Sequence, residues 1–217
     1  MDPSLSIIQQ VVIWALPVLL AVTLHEVAHG WTARALGDQT AAFLGRLSLN
    51  PLKHVDPIGT VLVPAALLLF HSPFLFGWAK PVPVAMQNLR NPHRDMAIVA
   101  AAGPASNLAM AVVWAVLLKF AVPYADTGSL GLGIASMAQA GVLINLVLFV
   151  FNLIPIPPLD GGRVVAGLLA PEAARKFGRL EPYGLVIVIL LLVTGVLGIL
   201  LSGPMTFLYN TLIHFIL

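Results

Sequence analysis

Two histidines and a glutamate fall within one short run, His25-Glu26-Val27-Ala28-His29. On a helix, side chains four positions apart project from one face. His25 and His29 would therefore present two imidazoles together, with the Glu26 carboxylate beside them. Two imidazoles can hold Zn²⁺, while an adjacent carboxylate can take a proton from water at the open coordination position. The plainer alternative is a pair of structural histidines bridging helices. Ionisable groups inside an apolar helix are costly, however, and mark functional sites by default.

Two histidines do not complete a catalytic zinc site, which usually has three protein ligands and a water. The chain has no Cys, so thiolate ligands and disulfides are excluded. The third ligand must come from candidates such as Asp160, His54, Asp56, Glu172 and His93. Asp160 stands in Asn152-Leu153-Ile154-Pro155-Ile156-Pro157-Pro158-Leu159-Asp160-Gly161-Gly162. Its prolines prevent regular helix, and its glycines allow close backbone approach. Taken alone, Asp160 also reads as a turn residue at a helix start. His54, within Asn50-Pro51-Leu52-Lys53-His54-Val55-Asp56-Pro57, could approach the metal, orient a loop or be exposed, and is kept as an accessory candidate. Asn107 and Asn152 lie in or at the end of apolar spans, where an amide needs a partner. That partner is either another helix or the unpaired backbone of an extended substrate. Asn145 reads as packing.

The elements that must position these groups are set by composition. The 217 residues are 59% hydrophobic and 9% charged, against about a quarter charged in soluble domains. Such a chain cannot clothe a water-exposed surface, and lipid must be its main solvent. Most Lys and Arg fall in Arg34–Lys53, Lys80–Arg94 and Arg163–Arg179, which the positive-inside rule places on the cytoplasmic side. Lys119 stands apart, near Asp126, in a loop expected outside. The basic residues form no dense stripe, so nucleic-acid binding is not expected. Met1-Asp2-Pro3-Ser4 lacks a basic signal-peptide start, so the first apolar stretch is expected to be retained as a helix.

Residues from about Leu5 to Leu36 read as one long helix closed by Gly37-Asp38. Thr40 to Leu49 reads as a short hairpin around Gly45-Arg46. Ile58 to Phe70 is apolar but short for a span of about 20 residues, and the Pro-rich Pro73 to Val84 cannot be helix. Such backbone at membrane depth must be buried or line a cavity, so 58–84 is expected to be re-entrant or to shape the active-site cavity. Asp95–Phe120, Leu130–Leu153 and Gly184–Leu201 read as spans, and Met205–Leu217 as a short final apolar segment. The expectation is an all-α polytopic membrane protein with five to six transmembrane or re-entrant segments and short β-hairpin or extended elements. It forms a single domain over 1–217, with a core over about 5–165.

The run His25 to His29 together with Asn152 through Gly162 resembles the site-2 protease family, peptidase family M50. Gly103-Pro104-Ala105-Ser106-Asn107 and Gly77-Trp78-Ala79-Lys80-Pro81-Val82-Pro83 also resemble compact members that lack PDZ and CBS domains. The resemblance implies one zinc held by His25, His29 and Asp160, with Glu26 as catalytic base. It implies that Asn107 and Asn152 position the substrate backbone or the oxyanion. The implied activity is intramembrane proteolysis of transmembrane protein substrates, in the plasma membrane, with the site toward the cytoplasm. A homo-oligomer is compatible with the sequence.

Two other classes use some of the same residues. A metal-ion transporter would need further ionisable groups in the outer halves of its helices, where they are nearly absent. A non-catalytic membrane adaptor would leave Glu26 without a purpose. A prenyl-protein type of protease shares the two-histidine motif but not the setting of Asp160.

Overall fold

The computed structural model describes residues 6–69 and 77–216. Its helices are α1 (Ile7–Ala35), α2 (Thr40–Phe43), α3 (Val63–Leu69), α4 (Pro92–Ala121), α5 (Ser129–Asn152), α6 (Asp160–Leu168), α7 (Pro171–Gly178), α8 (Gly184–Val193) and α9 (Val196–Ile216). Among the described residues there is no strand, and the chain is an all-α polytopic membrane protein. The helices α1, α4, α5 and α9 are each long and apolar enough to cross a bilayer.

Local sequence accounts for the starts of the helices that carry the site. Ser6 accepts the Gln9 amide hydrogen while the Gln9 side chain returns to the Ser6 amide. This capping box satisfies donors that a helix start leaves open. Helix α4 begins with Pro92, whose missing N–H costs nothing in the first turn. Asp95 then accepts the Asn91 amide at 2.8 Å.

The helices α4 and α5 are joined through a turn at Val122–Thr127 and share a buried seam. Ala111, Trp114, Ala115 and Leu118 meet Ala138, Val142 and Leu146 there, and Met205, Leu208 and Leu212 of α9 pack against it. Many of these residues are small, as expected where lipid supplies no hydrophobic drive and close packing must hold helices together. The outward residues are large and apolar, including Leu117, Phe120, Leu190, Ile199 and Phe207. At one end of the bundle, Lys119 Nζ donates to the Ile216 carbonyl at 2.6 Å, joining the C-terminal ends of α4 and α9.

Two sequence expectations change. Thr40 to Leu49 forms α2 and a turn rather than a hairpin. The Asp38 carboxylate accepts the Thr40 amide at 3.0 Å, which nucleates a helical turn. Gly45, at φ +62°, then ends it, with the Arg46 amide donating to Ala41 O. The span expected over Gly184–Leu201 is interrupted. The Thr194 hydroxyl donates to Leu190 O at 2.7 Å, and Gly195 adopts φ +76°, a left-handed residue that closes α8. The crossing belongs instead to α9, of which the final apolar segment from Met205 is the second half.

The stretch from Ile58 begins as a π-helical turn, Pro57–Leu62, and continues as α3, described as far as Leu69. Residues 70–76 lie outside the described residues, so the full course of the re-entrant expectation does too. From Gly77 to Ala85 the backbone is non-helical, as its prolines require. The amide of Trp78 donates to Gly59 O at 3.1 Å, and the amide of Lys80 to His54 O at 2.9 Å.

Candidate metal centre

Helix α1 carries His25 and His29 one turn apart, and α6 begins at Asp160. His25 Nε2 lies 3.1 Å from Asp160 Oδ2, and His29 Nε2 lies 3.3 Å from the same oxygen. The two Nε2 atoms are 3.0 Å apart. Side-chain exposure is only 11% for His25, 12% for His29 and 8% for Asp160. Among the described residues these are the three brought together with metal-ligand spacing.

The other ring nitrogens show where the protons are. His25 Nδ1 faces Asn107 Oδ1 at 2.6 Å, and His29 Nδ1 faces the Val99 carbonyl at 2.7 Å. A carbonyl oxygen only accepts, so both Nδ1 atoms are the donors, and in the neutral rings both Nε2 atoms carry lone pairs. These lone pairs point at Asp160 Oδ2, a buried atom with no hydrogen-bond partner. Three electron-rich atoms at such spacing could hold a cation between them. Ligands about 2.0–2.1 Å from a tetrahedral zinc stand about 3.3 Å apart, which the observed 3.0–3.3 Å edges fit.

The site depends on two features of α4. A Cβ on Gly103 would lie 2.4 Å from His29 Nε2 and 2.6 Å from His25 Cε1, so a hydrogen there lets the two rings fit against the helix. Asn107 is fully buried, and its amide nitrogen donates to Ala21 O at 3.2 Å and to Asn145 Oδ1 at 3.0 Å. With both amide hydrogens spent, its oxygen must face His25. Asn107 thus orients a histidine. Asn145, read from sequence as packing, holds Asn107 and donates to Gly141 O at 2.9 Å. A second amide inside an apolar span, with only apolar residues beside it in sequence, was the available signal.

Glu26 is half-buried, and its Oε2 accepts the Val82 amide at 2.7 Å. Asn152 is half-buried at the end of α5 and donates to Leu148 O at 2.9 Å. His54 is 2% exposed, with Nε2 against Ser48 O at 2.8 Å, and does not join the His25, His29 and Asp160 group. Asp56 caps the turn at Ile58 and Gly59, and His93 lines a cavity. Asp38, which the sequence suggested only as a turn former, is fully buried and binds both Thr40 and the chain at Ala85 and Asn88.

A cavity of about 710 Å³ lies against this region, walled by Val82, Pro83, Val84, His93, Gly162 and Arg163 among others. None of His25, His29 and Asp160 lines it; its wall meets the site through Val82, which holds Glu26, and Gly162, two residues after Asp160.

The family model described as Peptidase family M50 matches residues 122–195, which include Asn152 and Asp160. The protein YwhC of Bacillus subtilis (strain 168), named as a zinc metalloprotease, is 38% identical over 189 residues, covering 86% of this chain and 82% of its own. The chain belongs to peptidase family M50. Rip2 of Mycolicibacterium smegmatis, also named as a zinc metalloprotease, is 33% identical over 83% of this M50 chain and 66% of its own. Rip2 of Mycobacterium tuberculosis (strain H37Rv) is 30% identical over 88% and 71%. No solved structure matches the chain. In this site-2 protease family member the matches to relatives span most of the length, whereas the family model covers α5 to α8 and leaves α1 outside it.

Proposed function

We propose that the chain is an intramembrane zinc metalloendopeptidase that cleaves peptide bonds in or near transmembrane segments of other membrane proteins. One zinc per chain would be held by His25, His29 and Asp160. The convergence of two imidazole lone pairs and a buried, unpartnered carboxylate oxygen carries this reading. Bound there, zinc would polarise a substrate carbonyl and acidify a water. Glu26 would take the proton of that water and pass it to the departing amine. Val99 and Asn107 keep the histidines in the tautomer that directs Nε2 inward.

A peptide bond inside a helix is shielded by its own hydrogen bonds, so the substrate must unwind and find other partners. The Val82 carbonyl and both backbone groups of Val84 have no partner among the described residues, and both residues line the cavity. They suit an extended substrate strand. The second amide hydrogen and the carbonyl of Asn152 are likewise without a partner there, which supports its role at the substrate.

The test is cleavage of a single-span substrate in liposomes, with zinc measured on the same samples. Glu26→Gln should keep zinc and lose cleavage, whereas Asp160→Ala should lose zinc. Undiminished cleavage by Glu26→Gln would sink the proposed base. Stoichiometric zinc in Asp160→Ala would remove Asp160 from the ligand set.

A further inference from the structure

We propose that Gly77–Ala85 is a strap that positions the Glu26 carboxylate through the Val82 amide, and that Asp38 is the positioning residue that fixes the strap from the other end. The inference deepens the reading of Glu26 as proton acceptor and rests on it.

Glu26 is a flexible side chain, and its catalytic use requires one carboxylate oxygen at a defined place. The 2.7 Å bond from Val82 N–H ties Oε2 and leaves Oε1 without a partner among the described residues. A donor–acceptor distance this short is usual where the acceptor is charged. Pro81 and Pro83 flank Val82 and fix their own φ angles, so the direction of the amide between them is stiff.

The strap is held on both sides of that amide. Arg46 Nη2 donates to Lys80 O at 2.9 Å and to Pro81 O at 3.3 Å. Beyond Val82, Ala85 N–H donates to Asp38 Oδ2 at 2.7 Å, and Asn88 Nδ2 donates to Asp38 Oδ1 at 3.0 Å. Asp38 has 0% exposure and makes no ion pair among the described residues, so hydrogen-bond donors alone compensate its charge. Capping α2 explains the bonds from Thr40 but not the second oxygen, which is turned to the strap. Because Asp38 follows α1 and Glu26 lies within it, the carboxylate and its amide donor are referred to the same helix.

The experiment uses full-length, zinc-loaded protein and a single-span substrate, with kcat, KM, zinc content and Tm read for each variant. Val82→Pro removes the amide hydrogen at a position that Pro83 already biases away from helix, while Val82→Ala keeps it and removes side-chain packing. Val82→Pro is expected to lower kcat about 10²-fold, the scale of a small misplacement of a reacting group, with KM and zinc unchanged; Val82→Ala should keep most of kcat. Asp38→Asn should lower kcat roughly tenfold. If Asp38 acts through the strap, adding Asp38→Asn to Val82→Pro costs nothing further, since the shared bond is already gone.

Full kcat in Val82→Pro, or losses that multiply in the double variant, would overturn the proposal. Should Val82→Pro fail to fold, Asp38→Asn and Arg46→Gln decide. A fall in kcat at constant KM and zinc supports the strap, and a fall that tracks zinc loss overturns it. Glu26→Gln run alongside separates the two levels. If that variant is inactive while Val82→Pro is fully active, the strap is wrong and the base reading stands; if it is active, the base reading fails.

Discussion

Asn107 spends its amide hydrogens on Ala21 and Asn145, which leaves its oxygen to accept the His25 Nδ1 proton. That exchange sets which nitrogen of His25 is free to act as a ligand, since the tautomer of an imidazole follows the bond its other nitrogen makes. His29 obtains the same result from a backbone carbonyl, that of Val99. Asn107→Leu is therefore expected to lower zinc affinity by about 10–100-fold, the usual cost of losing an outer partner of a metal ligand. Competition with a chelator measures it, and an unchanged affinity would remove Asn107 from the support of the site.

Among the elements, the non-helical run from Gly77 and its anchor at Asp38 have a separate thermodynamic consequence. Burial pushes the Asp38 carboxyl up, but hydrogen bonds from Thr40, Asn88 and Ala85 outweigh it and hold it below the ordinary carboxylate value. A group whose folded pKa is depressed contributes stability above the unfolded value, and that contribution is lost as pH falls through the folded one. Asp38→Asn should thus lower Tm at neutral pH, with a loss of about 1.5–3 kcal/mol for a hydrogen bond to a charged group. The gap to the parent should shrink in acid, below about pH 4. A gap constant with pH in a thermal denaturation series would contradict the depressed value.

For the whole molecule, the ends of the bundle are chemically distinct. Lys119 and the end of α9 lie at one end. At the other, the Arg90 amide donates to Leu36 O at 3.1 Å, joining the end of α1 to the chain leading into α4. The basic stretches Arg34–Lys53, Lys80–Arg94 and Arg163–Arg179 flank that second end in sequence, which supports its proposed cytoplasmic orientation. The chain has no Cys, so introduced thiols report without background. Asp126→Cys should react with a membrane-impermeant maleimide in intact cells, and Lys176→Cys only after permeabilisation. The reverse pattern would invert the topology.

Membrane residence, the helical class, the paired histidines with Glu26, and the non-helical character of Gly77–Ala85 were legible in the sequence because each rests on local or additive physics. Apolar content selects lipid as solvent, a four-residue spacing puts side chains on one face, and proline forbids helix. The fate of Thr40–Leu49 was not legible, since a buried Asp38 from the preceding turn decides it. Nor was the break at Gly195, where an apolar run continues through a residue free to take positive φ. The candidate metal site divides in the same way. Local spacing on α1 placed His25 and His29 together, but their approach to Asp160 depends on chain segments far apart in sequence. Only the packing of α1, α4 and α6 turned three lone pairs toward one point, made Asn107 a partner of His25, and brought the Val82 amide to Glu26. Those contacts are long-range, and no local pattern encodes them.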